Sequence, residues 1–263
     1  MQEYNVVVET KPGTFEEVLA TDDMTLQQLA EECQENYRDR IVLANVNGRL
    51  RELNKKVTDG ATVSFLTMTE RDGKRTYRRS VTLLLQKAVD NLWGDSVHVR
   101  VFYSLGEGYY CELENDSIDD EKLATIKSEM QRLVELNLPI EKNSVKTEEA
   151  EHRFRDRGMK DKERLLHYRR SSRVNLYSLD GMEDYFYGYM VSSTGYLGVF
   201  GLQLYEDGFV LLFPNKDGSK VEPLNTSNKL YHTLKQSREW SRMLGVGTIG
   251  ALNDAIAAGK GEQ

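Results

Sequence analysis

The sequence has little of what most catalytic and cross-linking chemistry draws on: two cysteines, four histidines and four prolines in 263 residues. Cys33 and Cys111 lie far apart and match no metal-ligand spacing, so a reduced, cytoplasmic chain is the expectation. His98, His152, His167 and His232 are scattered, with no H-x-x-x-H or H-E-x-x-H pairing to support a zinc site. No apolar run approaches the roughly 18 residues that span a bilayer. The opening "MQEYNVVVETK" lacks a basic stretch followed by an apolar one, so no secretory signal is visible. No G-x-S-x-G elbow is present. "GVGTIG", Gly245 to Gly250, formally matches G-x-G-x-x-G, but a helix precedes it where a dinucleotide fingerprint needs a strand. The tail "GKGEQ" has no Ser or Thr after Lys260 and makes no Walker A loop.

Net charge is also on the wrong side for broad nucleic-acid binding, at −7. Its distribution is uneven. Residues 1–68 carry 7 Lys and Arg against 12 Asp and Glu, whereas residues 71–90 carry 6 basic against 2 acidic. A second basic cluster holds Arg164, Arg169, Arg170 and Arg173. Arg78, Arg79, Arg169 and Arg170 are therefore the candidate phosphate or RNA contacts.

What is present is clear patterning. "YNVVVET" reads as a strand, and "TFEEVLA" continues the ladder or turns. "DDMTLQQLAEECQENY" reads as a helix capped by Thr25, and "RIVLANVNGRLREL" as a hairpin turning at Asn47-Gly48. "ATVSFLTM" closes this unit as an apolar strand, an order that points to a ubiquitin-like β-grasp over residues 1–68. In "RSVTLLLQKAVDNLW" an apolar stripe at i, i+3, i+4, i+7 marks a helix of a second unit, residues 74–222. A hairpin follows, then a helix opened by Ser117, two shorter helices, and four strands including 184–190. Together they imply an α+β fold with a largely antiparallel sheet carrying helices on one side. Residues 223–263 read as a helical linker, with Gly245 and Gly259 ending its helices. The chain stops four residues after Gly259, which reads as an internal boundary of a longer protein.

"EDYFYGYMVSSTGY", Glu183 to Tyr196, places five aromatic rings in fourteen residues. As a strand it would alternate. Phe186 and Met190 are assigned to the core, with Gly188 allowing close helix approach. Tyr185, Tyr187 and Tyr189 then face outward and, with Thr194 and Tyr196, form a candidate seat for a nucleoside or nucleotide.

The order of these pieces resembles the N-terminal half of threonyl-tRNA synthetase, over about residues 1–215. "VLANVNGRLRELNKKVTDGATVSFLT" resembles a TGS domain. "SVTLLLQKAVDNLWGDSVHVRVFYSLGEGYYCEL" and "EEAEHRFRDRGMKDKERLL" resemble the editing domain. The family's editing site has a histidine pair and a later Cys-x-x-x-His; the resemblance puts Arg79 and Leu83 at the pair, Lys87 at a further histidine, and Met190 and Thr194 at the last. It therefore implies no metal, no catalytic residue and no deacylation here, with Ser192, Ser193 and Thr194 at the mouth of a former editing cleft.

"DYFYGYMVSSTGYLGVFGLQLYEDGFVLLFP" followed by "SREWSRMLGVGTIGALNDAI" is similar to the long bacterial uridine kinase-like nucleoside kinases. That resemblance implies an accessory, regulatory region without catalysis of its own, whose partner is a P-loop kinase domain of the same protein beyond Gln263. ATP and magnesium would belong to that domain, and this chain would hold no cofactor. An RNA- or tRNA-binding module is the alternative, and an active aminoacyl-ester hydrolase ranks last. No membrane partner is expected.

Overall fold

A computed structural model describes residues 3–226 and 228–260. The end of the "GKGEQ" tail, residues 261–263, lies outside the described residues, as do residues 1, 2 and 227 of the expected units. The first unit runs β1 (Glu3–Lys11), β2 (Thr14–Thr21), α1 (Leu26–Cys33), β3 (Ile41–Val46), β4 (Arg49–Arg51) and β5 (Thr62–Thr67). Its sheet has the order β2-β1-β5-β3-β4, with β1 and β5 parallel and the other pairs antiparallel. This is the expected β-grasp order. Asn47 and Gly48 both take positive φ, 51° and 78°, as the tight turn between β3 and β4 requires. Thr25 and Gln28 form a reciprocal capping box at the start of α1. The helix then buries Leu26, Leu29, Ala30 and Cys33 against the sheet.

α2 (Arg71–Trp93) begins earlier than the apolar stripe alone implies and rises almost directly from β5. Gly73 makes this possible: a Cβ there would lie 1.9 Å from the Thr67 carbonyl oxygen, so no other residue fits. The early turns of α2 touch β3 and β5, and the helix also packs on α3 and β6. A single apolar cluster consequently runs from Val6 and Val8 through Val81, Leu84 and Leu85 to Phe209 and Phe213. Continuous core bridges the boundary expected near residues 68–74.

The second unit contains β6 (His98–Leu105), β7 (Gly108–Glu114), α3 (Asp120–Glu135), β8 (Ile140–Lys146), α4 (Thr147–Asp156), α5 (Lys160–His167), β9 (Arg173–Leu179), β10 (Met182–Tyr185), β11 (Gly201–Tyr205) and β12 (Gly208–Leu212). Two antiparallel sheets result instead of one, β10-β9-β8 and β11-β12-β7-β6. β8 escaped the pattern reading because it mixes charged residues with only two buried positions, Ile140 and Val145. Asp119 caps α3 through the Lys122 amide, displacing the expected opening at Ser117.

The aromatic stretch departs most from expectation. β10 stops at Tyr185, and residues 186–193 form no strand. Beyond it, α6 (Asn228–Met243) is docked through Tyr231, whose ring meets Tyr110 and Tyr205 edge-on at 5.4 and 5.5 Å. Arg238 lies 4.2 Å over Phe102 and bonds Glu112 at 2.7 Å. α7 (Ile249–Ala257) is capped by Thr248 and packs on α5. Gly245 and Gly259 close the two helices at φ 72° and 73°, so "GVGTIG" is a helix end followed by a helix start. No described helix is long and apolar enough to cross a membrane.

Candidate functional site

Four consecutive residues explain why the aromatic stretch is not a strand. Tyr177 lies on β9, and its hydroxyl stands 2.5 Å from the Gly188 carbonyl and hydrogen-bonds the Glu52 carboxylate. Arg79 on α2 donates Nε to the Tyr189 carbonyl at 3.0 Å. The Met190 amide donates to Glu52 Oε1 at 3.3 Å, and the Val191 amide to Ser80 Oγ at 3.0 Å. Every one of these backbone groups needs a partner once buried. Here side chains from three other elements supply what a ladder would otherwise provide. Glu52, 3% exposed, comes from the β-grasp unit, directly after β4, and Lys142 on β8 approaches it at 3.4 Å.

The tyrosines part company as a result. Tyr187 is 82% exposed, with the Arg169 guanidinium 5.9 Å from its ring. Tyr185 packs against the Val145–Phe154 cluster, and Tyr189 against the main core under Lys142 at 4.9 Å. They do not form one outward platform. Thr194 and Tyr196 are buried. Thr194 Oγ1 donates to Leu133 O at 2.6 Å and accepts from the Leu138 amide at 2.8 Å, so both its functions are committed to the end of α3. Tyr196 lies beneath Arg40 at 4.6 Å. Neither is placed to touch a ligand lying on Tyr187. Met190 is buried as assigned, but Phe186 is only half-buried. Gly188, at φ +130°, makes room for the Arg79 guanidinium, which a Cβ would meet at 2.5 Å.

The basic candidates separate likewise. Arg78 pairs with Glu107 at 2.5 Å and lies 5.0 Å over Phe213. Arg79 is half-buried, and desolvation, the largest influence on it, pulls its pKa below the ordinary arginine value. Both therefore already have structural partners, Glu107 for Arg78 and the Tyr189 carbonyl for Arg79. Arg169 and Arg170 are exposed beside Lys146 and Arg173, around an open concavity at the start of α4.

The Arg79 side of the segment borders a cleft of about 520 Å³. Arg79, Thr82 and Gln86 supply one face of α2 at i, i+3, i+7, facing Tyr109 on β7 and Phe186. Within the walls Lys162 pairs with Asp184 at 2.5 Å and Arg100 with Glu114 at 2.6 Å. The Gln86 Oε1 atom is buried and has no hydrogen-bond partner among the described residues. Sequence reading passed over Gln86 and Tyr109. The available signal was a single amide set into an otherwise apolar stretch of α2.

Of the positions that the resemblance assigns to the former editing site, Leu83 and Met190 are buried apolar side chains and Thr194 is satisfied by backbone. Lys87 donates to the Asp180 carbonyl at 2.7 Å. Among the described residues no three His, Cys, Asp or Glu side chains gather as a metal set.

No family model matches the chain. Individual relatives do, among them threonine–tRNA ligases of several bacteria. The enzyme of Rubrobacter xylanophilus is 31% identical over 167 residues, 63% of this chain and 26% of that protein. That of Syntrophotalea carbinolica is 29% identical over 163 residues, 61% and 26%. Threonine–tRNA ligase 1 of Bacillus subtilis is 29% identical over 180 residues, 68% and 28%. About three fifths of the chain is thus related in sequence to threonine–tRNA ligases, and it spans about a quarter of the length of the curated relatives it matches.

Proposed function

We propose that the chain is a ligand-binding accessory module of synthetase-editing descent, without hydrolytic activity, and that its ligand sits in the Arg79–Gln86 cleft. One observation carries this reading: Arg79, Thr82, Gln86, Tyr109 and Phe186 line a single cleft of about 520 Å³ at the place where the aromatic stretch leaves the sheet. Tyr109 and Phe186 call for a planar group, and the polar side chains around them, Arg100, Gln86 and Lys162 among them, call for polar edges on it. A nucleoside or nucleotide satisfies both demands. The side chains at Arg79, Leu83, Met190 and Thr194 offer neither a general base nor a hard-metal ligand in this setting. The parent protein is proposed to be a uridine kinase-like nucleoside kinase, on the strength of the resemblance through residues 184–256. Its ATP, magnesium and phosphoryl transfer would then belong to a separate P-loop domain.

Titration of the purified chain with uridine, cytidine and their 5′-phosphates tests the module. Binding that weakens at least tenfold in Gln86→Ala is expected, whereas binding indifferent to Gln86 places the ligand elsewhere. ATP-dependent phosphorylation of uridine by the whole protein tests the parent.

A second reading, an RNA-contacting module, is favoured by Arg169 and Arg170. Both are exposed, Arg169 beside the exposed Tyr187, and the relatives are named as ligases of tRNA. Arg169→Ala with Arg170→Ala should then weaken RNA binding and flatten its salt dependence.

A further inference from the structure

Four of the seven Lys and Arg residues within 1–68 line one concavity: Arg49, Arg51, Lys55 and Lys56. It measures about 690 Å³, and no carboxylate lines it. The arrangement follows from local structure. Alternation along β4 puts Arg49 and Arg51 on one side and packs Leu50 on the core. The next loop is pinned by the start of α1, since the Leu26 and Gln27 amides donate to the Lys55 and Leu53 carbonyls at 2.8 Å and the Val57 amide donates to Met24 O at 2.9 Å. With Glu52, Leu53 and Val57 buried, Lys55 and Lys56 are held outward.

Among the described residues none of the four cations has a carboxylate within ion-pair distance. Arg51 reaches only its neighbour's carbonyl, at 3.4 Å. Three acidic residues of this unit, Asp22, Asp23 and Asp59, gather round Tyr4, and Asp23 also feels Lys56 at the edge of the concavity. Asn47 completes the rim. Its Oδ1 accepts from the Thr62 amide at 2.8 Å, which turns its two N–H donors away from that bond. Four cations without a salt-bridge partner among the described residues stand on one pinned scaffold. Two guanidinium forks with two ammonium groups match several oxygens of a multiply charged ligand better than one carboxylate.

We propose that this concavity binds successive phosphate groups, supplied either by a compact oligophosphate such as a nucleoside triphosphate or by single-stranded RNA. The site is separate from the Arg79–Gln86 cleft and stands whether or not that cleft binds a nucleoside.

The test uses the whole chain at low salt with two probes, a labelled eight-residue oligouridylate and inorganic tripolyphosphate. The double variants are R49Q/R51Q and K55Q/K56Q; all four side chains are exposed, and an unchanged Tm confirms folding. The expected result is binding of at least one probe, weakened tenfold or more by each double substitution, with tripolyphosphate binding unchanged in R169A/R170A. For RNA the slope of log K against log salt should be about −3 with four contacts and about −1.4 with two. RNA binding without tripolyphosphate binding assigns a strand; the converse assigns a compact ligand; mutual competition assigns their shared phosphates. Binding of neither probe, or binding that survives both double substitutions, overturns the proposal. So does binding lost only in R169A/R170A.

Discussion

Arg79 holds Tyr189 by its backbone and not by its ring: Nε donates to the carbonyl oxygen at 3.0 Å, and the guanidinium fills the space beside Gly188. Arg79 is therefore a structural clamp on the segment. Arg79→Ala leaves a half-buried carbonyl without a donor, a loss of about 1–3 kcal/mol. Urea denaturation should show a lowered midpoint, and Arg79→Lys should recover part of it. An unchanged midpoint in Arg79→Ala would remove the clamp from the account.

Neighbours in the aromatic stretch should respond very differently. Tyr187, at 82% exposure, should tolerate Tyr187→Ala within about 0.5 kcal/mol. Gly188→Ala should cost about 1–3 kcal/mol, because its φ of +130° suits glycine and the added Cβ meets Arg79. Phe186 is half-buried on the cleft, so Phe186→Ala should fall between them while weakening ligand binding. Thermal melts of the three variants check this order.

Removing Glu52 should disturb both units together. Glu52→Ala strips a partner from the Tyr177 hydroxyl, the Met190 amide and Lys142 at once, and truncating one side of a buried charged network costs roughly 3–5 kcal/mol. Amide exchange should accelerate at residues 188–191 as well as around β4. Faster exchange confined to β4 would refute the joint role.

Cys111 and Tyr77 give a chemical readout of the core. Burial raises the Cys111 thiol to about 12 and the Tyr77 hydroxyl to about 12, and it also raises Cys33. Neither cysteine should react with a disulfide reagent at pH 8 until the chain is unfolded. The sign for alkali follows from the same shifts. Unfolded tyrosine loses its proton near 10 and folded Tyr77 near 12, so the stability from this group is full below pH 10 and disappears as pH climbs to 12. Absorbance titration should show Tyr77 and Tyr103, also raised to about 12, ionising only with unfolding.

The β-grasp order was legible because its signals are local. Thr25 caps, Asn47-Gly48 turns, and strand and helix periods alternate with no element depending on a distant one. The aromatic stretch misled for the opposite reason. Period-2 spacing from Tyr185 to Met190 is compatible with a strand, but Glu52, Arg79, Ser80 and Tyr177 take the hydrogen bonds a ladder needs, and they lie far off in sequence. β8 was missed because its two buried residues stand five apart among charged ones. Thr194 and Tyr196 looked exposed because a hydroxyl-rich turn carries no mark of the α3 carbonyl and of Arg40 that cover them. The cleft's Gln86 was visible only as one polar residue in an apolar run.

Gly73 carries a consequence for how a signal would pass along the molecule. With the Thr67 carbonyl at the place where a Cβ would stand, α2 leaves the β-grasp sheet at the shortest approach a polypeptide allows, and no slack remains in the elbow. A joint without slack transmits displacement in place of absorbing it. A displacement of β5 would reach α2 through this elbow, with Arg79 less than two helical turns further on.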